Sequence, residues 1–462
     1  MSARDPLAPA LDLCREHNLI PEGGTVLCAV SGGADSVCLL HWLSGLRAQI
    51  PFTLVAAHYN HNLRGDQSAR DEEFVRTFVG QFCPVITGSG YVAAEAAKRK
   101  TGIEETARDM RYAFLQQTAR QVGADVIATA HNANDNAETM LLNLMRGCGL
   151  NGLCGIPPRR DNIVRPLLTV PRQDIEEYLR IHDLPHVEDS TNTDDTYTRN
   201  RVRHQLIPLL EQFQPRLIPH MSQTARLLAQ DELLLSRQAK EAIASAHPVP
   251  DGIEIDADAI AALPDPLAAR AVRLLLDRLN GDGGRCTMSH LLCVVALCRA
   301  DAPSAQADLP GGTLARRVYG SLELVRPAPT APMQAVTLPL PGLLSLTCGT
   351  IQVRSATYVG NPHTPLSFYL SCEKTRGGLT LRPRRTGDVL TRPGRHARTL
   401  KKLMIDEKLP RHMRDTVPVL DCAGRVAGVI GLGPDAGFVP GPGEACWHIT
   451  YISSDAERKS SP

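Results

Sequence analysis

The chain has 462 residues, more than one hydrophobic core usually serves, so two to four domains are expected. Hydrophobic residues make up 43% and charged residues 21%, and no run approaches the about 18 apolar residues of a membrane span, so the chain reads as an ordinary soluble protein with no membrane partner. Met1 to Leu11 lacks an apolar stretch, which argues against secretion, and thirteen cysteines sit without a C-x-x-C pair, so reduced thiols in the cytoplasm are expected rather than a disulfide framework.

The first predicted strand is the apolar run 25–30, which a pair of glycines follows closely. A helix is expected over Val37 to Leu43, a strand over Phe52 to His58, a helix over Ala69 to Phe82 and a strand over Val85 to Thr87. Helical spacing over Glu104 to Val122, a buried strand over Ala124 to Ala130 and a helix from about Asn134 to Met145 complete the pattern. Strands alternating with helices predict an α/β fold, a Rossmann-like parallel sheet covered on both faces, with ligands at the C-terminal strand ends. Ser31, His58 and His131 all stand at such ends. A helix over Arg172 to His182 and a polar stretch to Arg203 close a domain of 1–215. Residues 216–330 read as a mostly helical domain, with the helical pattern running to about Ala300 and residues 301–370 alternating like β structure with loops; 331–373 reads as a β and loop connection, and 374–455 as a small α+β C-terminal domain with strands over Val417 to Leu420 and Val426 to Leu432.

The net charge of +1 says little, but its distribution says more. From Arg376 to Arg414, twelve Lys or Arg stand against Asp388, Asp406 and Glu407, a local excess of 12 − 3 = +9. Such a field holds a polyanion, although a solvated basic face has the same composition.

Ser31-Gly32-Gly33-Ala34-Asp35-Ser36 lies directly between a strand and a helix. Two glycines let backbone approach a phosphate, and successive N–H groups at a helix N-terminus offer it a positive concavity. Ser31 and Ser36 add hydroxyls, and Asp35 suits a Mg²⁺ bridging phosphates. No Gly-Lys-Ser/Thr follows, so this is not a Walker loop. It resembles the SGGxDS pyrophosphate loop of the N-type ATP pyrophosphatases, the PP-loop superfamily.

Within that superfamily the chain resembles the tRNA(Ile)-lysidine synthetases. His58-Tyr59-Asn60-His61-Asn62-Leu63-Arg64-Gly65 is similar to that family's HxNHxLRG loop. Glu104 to Leu115 is similar to its E-x-x-A-R-x-x-R-Y-x-F-L helix, and Ala130-His131 through Asp135, Glu138-Thr139 and Arg146-Gly147 to its AHxxxDxxET…RG segment. Residues 163–168, 187–192 and Arg199-Asn200-x-x-Arg203-His204 continue in family order, as do Leu381 to Asp388 and Lys401-Lys402-Leu403. The likeness is dense over 25–210 and 379–435 and thin between. The chain departs from the family at Asn132, where a His is common, at Asn134, where an acid is common, and at Asn136, where Gln is common.

The resemblance implies an enzyme that binds ATP at Ser31, Gly32, Gly33, Ala34, Asp35, Ser36 and His58, with Mg²⁺ on Asp35. It also implies L-lysine and an isoleucine tRNA with a CAU anticodon as substrates; a homodimer is compatible with it. Asp135 and Glu138, three apart on one helix face, become candidates to receive a proton or hold lysine, with His131 and Arg111; placement of acids at a helix N-terminus is the plainer alternative. Arg108, Arg199, Arg203, Arg382, Arg384, Arg385, Lys401 and Lys402 are candidates for phosphate or tRNA; Arg108 and Arg111 suit pairing with acids equally well. His58 and His61 read as loop contacts to nucleotide or cytidine rather than a zinc pair. The rival readings are a PP-loop tRNA thiolase, against which the wide Cys148–Cys154 spacing counts, an ATP-binding tRNA chaperone, and a small-molecule synthetase, which leaves the basic segment unexplained.

Overall fold

The computed structural model describes residues 5–62, 66–187, 198–281, 286–302, 304–327, 333–346, 349–409 and 413–453. Leu63, Arg64, Gly65 and residues 188–192 of the motifs above lie outside them. The chain divides into two compact units, 1–235 and 236–462.

In the first unit the elements run α1 (Ala8–Glu16), β1 (Thr25–Ala29), α2 (Ala34–Leu46), β2 (Thr53–Asn60), α3 (Asp66–Phe74), β3 (Val85–Ser89), α4 (Val92–Arg99), α5 (Ile103–Val122), β4 (Val126–Ala128), α6 (Ala133–Arg146), α7 (Leu150–Leu153), β5 (Arg159–Arg160), β6 (Ile163–Val164), α8 (Arg172–Ile181), α9 (Thr198–Arg201) and α10 (Ile207–Phe213). The long α11 (Leu217–Ala242) follows. The sheet order is β3-β2-β1-β4-β6-β5, parallel except for the edge strand β5. The apolar run of β1 serves both faces. Val26 and Cys28 pack with Val37, Leu40 and Ile175 of α2 and α8, while Leu27 packs with Leu115 and Ala119 of α5. That is why the strand shows no polar alternation. Chain order reverses between β1 and β4, which opens a crevice beyond their C-terminal ends.

In the second unit, a five-stranded antiparallel sheet of order β7-β8-β11-β10-β9 is built from β7 (His247–Val249), β8 (Gly252–Asp256), β9 (Ser304–Leu309), β10 (Thr313–Val318) and β11 (Ser321–Val325). Helices α12 (Ala257–Ala261), α13 (Asp265–Asn280) and α14 (Met288–Arg299) cover it through Val272, Leu275, Leu276 and Val295. Strands β9 to β11 fall in the stretch read as β structure, but β7 and β8 interrupt the part read as helical, so the 216–330 stretch is mixed α and β rather than mostly helical. Its strands are short and half-buried, and their hairpins turn on Pro250-Asp251 and Tyr319-Gly320, with φ of +64° at Asp251 and +55° at Tyr319.

Strands β12 (Val336–Thr337), β13 (Gly342–Leu346), β14 (Gly349–Thr357) and β15 (Ser367–Ser371) are not a connection either. The sheet order β13-β14-β22-β15 is completed by β22 (Ala445–Ser453), and β12 pairs with β16 (Thr380–Arg382). Segment 331–373 therefore belongs to the terminal fold, whose two sheets share a core of Ile351, Phe368, Leu381 and Leu420. The rest of that fold is β17 (Val389–Leu390), β18 (Arg398–Thr399), α15 (Leu400–Asp406), β19 (Val419–Cys422), β20 (Arg425–Val429) and β21 (Gly433–Pro434). Among the described residues, no helix is long and apolar enough to cross a membrane.

Candidate functional site

The loop after β1 turns at Gly32, whose φ is +94° and whose missing Cβ would stand 3.3 Å from Val75 Cγ2 and 3.6 Å from Val187 Cγ2. Glycine is required there by conformation and by space. The Ser36 hydroxyl, expected to meet a ligand, is instead buried and holds the loop's shape. Its Oγ accepts from the N–H groups of Ser31 (3.1 Å) and Gly32 (3.2 Å) and donates to the Gly33 carbonyl (2.9 Å). Gly33 caps α2, so the N–H groups of Ala34 and Asp35 in its first turn have no helical partner and remain for an anion.

This turn opens into a cavity of about 1020 Å³ at the sheet's reversal point. Of the expected residues, Ser31, Gly33, Ala34, Asp35, Ser36, His58, Arg108, Arg111, His131, Asp135, Arg199 and Arg203 line it. The loops after β1, β2 and β4 and one face of α5 therefore converge as the strand order requires. His58, at the end of β2, is tied through Nδ1 to the Val30 carbonyl at 2.9 Å, so that nitrogen carries the proton and Nε2 keeps a lone pair. Burial holds His58 below the usual histidine range and lowers His131 and His61 to about 4, with neighbouring arginines adding to the depression. In all three rings burial therefore favours the neutral form. His131 Nδ1 lies 3.0 Å from Thr129 Oγ1.

Asn132 caps α6, accepting from the N–H groups of Asn134 (3.0 Å) and Asp135 (3.1 Å), and Asp135 Oδ2 accepts from the Asn132 N–H at 3.1 Å. The other Asp135 oxygen receives Arg199 (3.3 Å) and Arg203 (3.0 Å). The same arginines donate through Nε to Glu138 at 2.8 and 2.5 Å. Ala133 and Ala137 of α6 pack against Val202 and Ile207, which brings the two arginines onto the acids. Glu138 has no exposed surface and does not line the cavity, so its carboxylate positions arginines rather than touching a ligand. Arg199 and Arg203 are likewise committed to these acids, whose charge outweighs burial and keeps the Arg203 guanidinium raised. Arg108 and Arg111 instead flank the Tyr112 ring, 5.3 and 5.6 Å from its centroid, and neither makes an ion pair among the described residues. They are the cavity's uncommitted cations.

Sequence reasoning missed Arg172. It lines the cavity and places Nη1 2.7 Å from Asp35 Oδ2, while Asn132 Nδ2 donates to Asp35 Oδ1 at 3.2 Å. Burial pushes the Asp35 carboxyl up, Arg172 pulls it back and the Asp135 charge adds to burial, leaving it raised. The available signal was electrostatic: an arginine on the first residue of a helix opposes the helix dipole and needs a reason. The three asparagines that depart from the family pattern all hold backbone. Asn134 Oδ1 accepts from the Arg172 N–H (2.9 Å) and Asn136 Oδ1 from the Ile156 N–H (2.7 Å), while Asn132 is the helix cap.

In the second unit, Arg382 is buried and bonded to Asp388 (2.8 Å) and Asp421 (2.8 Å), so it holds the terminal fold together and is not available to RNA. Arg384 pairs with Asp415 at 2.7 Å. Arg385, Lys401 and Lys402 are exposed and make no ion pair among the described residues.

The PP-loop domain family matches residues 13–210, and the family described as the TilS substrate C-terminal domain matches residues 379–451. A tRNA(Ile)-lysidine synthase of Geobacter sulfurreducens is 33% identical over 88% of this chain and 88% of its own length. One from Symbiobacterium thermophilum is also 33% identical, over 94% and 96%. Among solved structures, a U34-tRNA thiolase from Methanococcus maripaludis matches 48% of this chain and 78% of its own at 17% identity with a TM-score of 0.40, too remote to bear on function. By these relatives, with the two family matches beside them, the chain belongs to the tRNA(Ile)-lysidine synthase family.

Proposed function

We propose that this protein ligates L-lysine to C2 of the wobble cytidine in an isoleucine tRNA with a CAU anticodon, consuming ATP and releasing AMP and pyrophosphate, in the cytoplasm. The observation that carries this is one cavity lined by the phosphate turn, by Arg108 and Arg111, which make no ion pair among the described residues, and by Asp135 with Arg199 and Arg203. Its volume is at the upper end for a small-molecule site, room enough for a nucleotide and a flipped-out base together.

In the first step cytidine O2 attacks the α-phosphorus and pyrophosphate leaves. The N–H groups of Ala34 and Asp35 and the Ser31 hydroxyl face the departing anion, with Arg108 and Arg111 across the cavity. No group of three or more His, Cys, Asp or Glu is placed to cage a metal among the described residues. Asp35 fits the other mode, in which Mg²⁺ takes one or two carboxylates and draws its remaining ligands from phosphates and water. Asp35 would be the residue that holds such an ion, which would supply charge neutralisation for the leaving group when bound.

In the second step the lysine ε-amine displaces AMP at C2. Its free pKa of about 10.4 means that it must shed a proton first. Asp135 reaches the cavity, but both its oxygens are occupied, so acting as acceptor or as ammonium ligand requires Arg199 and Arg203 to turn toward solvent or substrate. Both side chains retain about a third of their exposure and can do so. The exposed Arg385, Lys401 and Lys402 bind tRNA backbone away from the reacting base.

Among the described residues no cysteine lines the cavity, which counts against the thiolase reading. Incubation with ATP, total tRNA and labelled lysine tests the proposal: lysine entering RNA supports it, and sulfur transfer or no incorporation refutes it.

A further inference from the structure

Arg172 stands where a cation is unwelcome, on the first residue of α8. Its backbone is fixed by Asn134, so the side chain is the movable part. That side chain has two anionic partners, Asp35 at 2.7 Å and, one turn along α8, Glu176 at 2.9 Å. Among the described residues Arg172 is the one ion-pair partner of Asp35, whose other oxygen takes the neutral Asn132 amide. The side chains of Arg172 and Asp35 are 39% and 30% exposed and both line the cavity, so a ligand entering there meets the pair directly.

We propose that Arg172 is a stand-in counter-ion for Asp35 that is exchanged when the triphosphate arrives, the carboxylate passing to Mg²⁺ and the guanidinium to the phosphates. This rests on the reading of the cavity as an ATP site. A hard cation requires a carboxylate oxygen that Arg172 now occupies. The guanidinium cannot lose its charge, so it must move, and Glu176 retains one of its arms while it does. A bare cation arriving at Asp35 strands the guanidinium. A cation arriving with a triphosphate brings the anion that satisfies it. Arg172 therefore makes the two ligands bind cooperatively and keeps metal from settling ahead of nucleotide.

The test uses the full chain, Mn²⁺ followed by electron paramagnetic resonance without nucleotide, and a non-hydrolysable ATP analogue followed by calorimetry. Arg172→Gln is expected to bind Mn²⁺ about two- to fivefold tighter than wild type, the scale of one partly exposed ion pair. The same variant is expected to bind the analogue at least about tenfold more weakly, the scale of a charged hydrogen bond. Arg172→Ala should repeat both opposed shifts, and adding Asp35→Asn to Arg172→Gln should abolish the Mn²⁺ gain. A merely structural arginine would weaken both ligands together, which overturns the proposal, as does unchanged Mn²⁺ affinity or a gain that survives Asp35→Asn. Wild-type protein that bound no ATP analogue would refute the ATP reading itself, whereas normal nucleotide binding with no Mn²⁺ gain in Arg172→Gln refutes this inference alone.

Discussion

Glu138→Gln offers the sharpest view of how the cavity wall is held. The native carboxylate has no exposed surface and accepts from Arg199 at 2.8 Å and Arg203 at 2.5 Å. Its amide replacement keeps one acceptor and turns an NH₂ group on the second guanidinium, leaving two arginines to share Asp135. Breaking a fully buried ion pair costs about 3–5 kcal/mol. Here both arginines are about a third exposed and can turn to water, so solvent screening reduces the figure to about 2 kcal/mol. For a unit of 235 residues that corresponds to a Tm about 4–8 °C lower. The chain's two tryptophans divide the measurement: Trp42 is buried in α2 of the first unit, and Trp447 lies in β22 of the second. Urea unfolding followed by Trp42 fluorescence in a Trp447→Phe background therefore reads the first unit alone. A shift below about 0.5 kcal/mol, typical of an ordinary surface substitution, would refute the positioning role.

Gly32→Ala forces an L-residue to a φ of +94° and sets its Cβ against Val75, so about 1–2 kcal/mol of stability and at least about tenfold in nucleotide affinity should be lost by calorimetry. His131 and His61 titrate near 4 in the fold but about 6.5 when unfolded, so between those values only the unfolded chain takes up protons. Stability should accordingly fall as pH drops from about 6.5 to 4 and be flat with respect to these groups above it; His131→Gln should flatten the slope in thermal melts across that window. In the terminal domain, Lys401→Ala with Lys402→Ala should weaken tRNA binding and flatten its salt dependence by about one to two units of log–log slope without changing Tm. Arg382→Ala should instead lower the Tm of the second unit, since it leaves Asp388 and Asp421 without their buried cation.

The parallel sheet was legible because its strands are continuous apolar runs buried on both faces and stopped by glycine, as at Leu27 and Gly32. The turn, His58 and His131 were legible for the same reason, since a strand end fixes where the next residues point, whereas Arg108 and Arg111, inside α5, came only from the family's helix motif. In the second unit β19 and β20 were legible as apolar runs, and β9 to β11 fall in a stretch that alternates like strand, but β7 and β8 were not legible: they are short, only partly buried, and interrupt a stretch rich in Leu, Ala and Arg that reads as helix. Spacing put Asp135 and Glu138 on one face of α6 but could not say that Val202 and Ile207 would cover that face. Counting charges over 376–414 could not reveal that Arg382 closes on Asp421, an acid outside the counted window. The Arg172–Asp35 pair joins two helices far apart in the chain, and only the packing of α8 on α2 brings them together.

The central claim is that the turn at Gly32 holds a triphosphate whose α-phosphorus is attacked by cytidine. It is tested most directly by withholding lysine. With ATP labelled on the α-phosphate and a CAU-anticodon tRNA transcript, label should become covalently attached to the RNA and should be released as AMP when lysine is added. Label that never enters the RNA, or that stays on it after lysine arrives, would contradict the account.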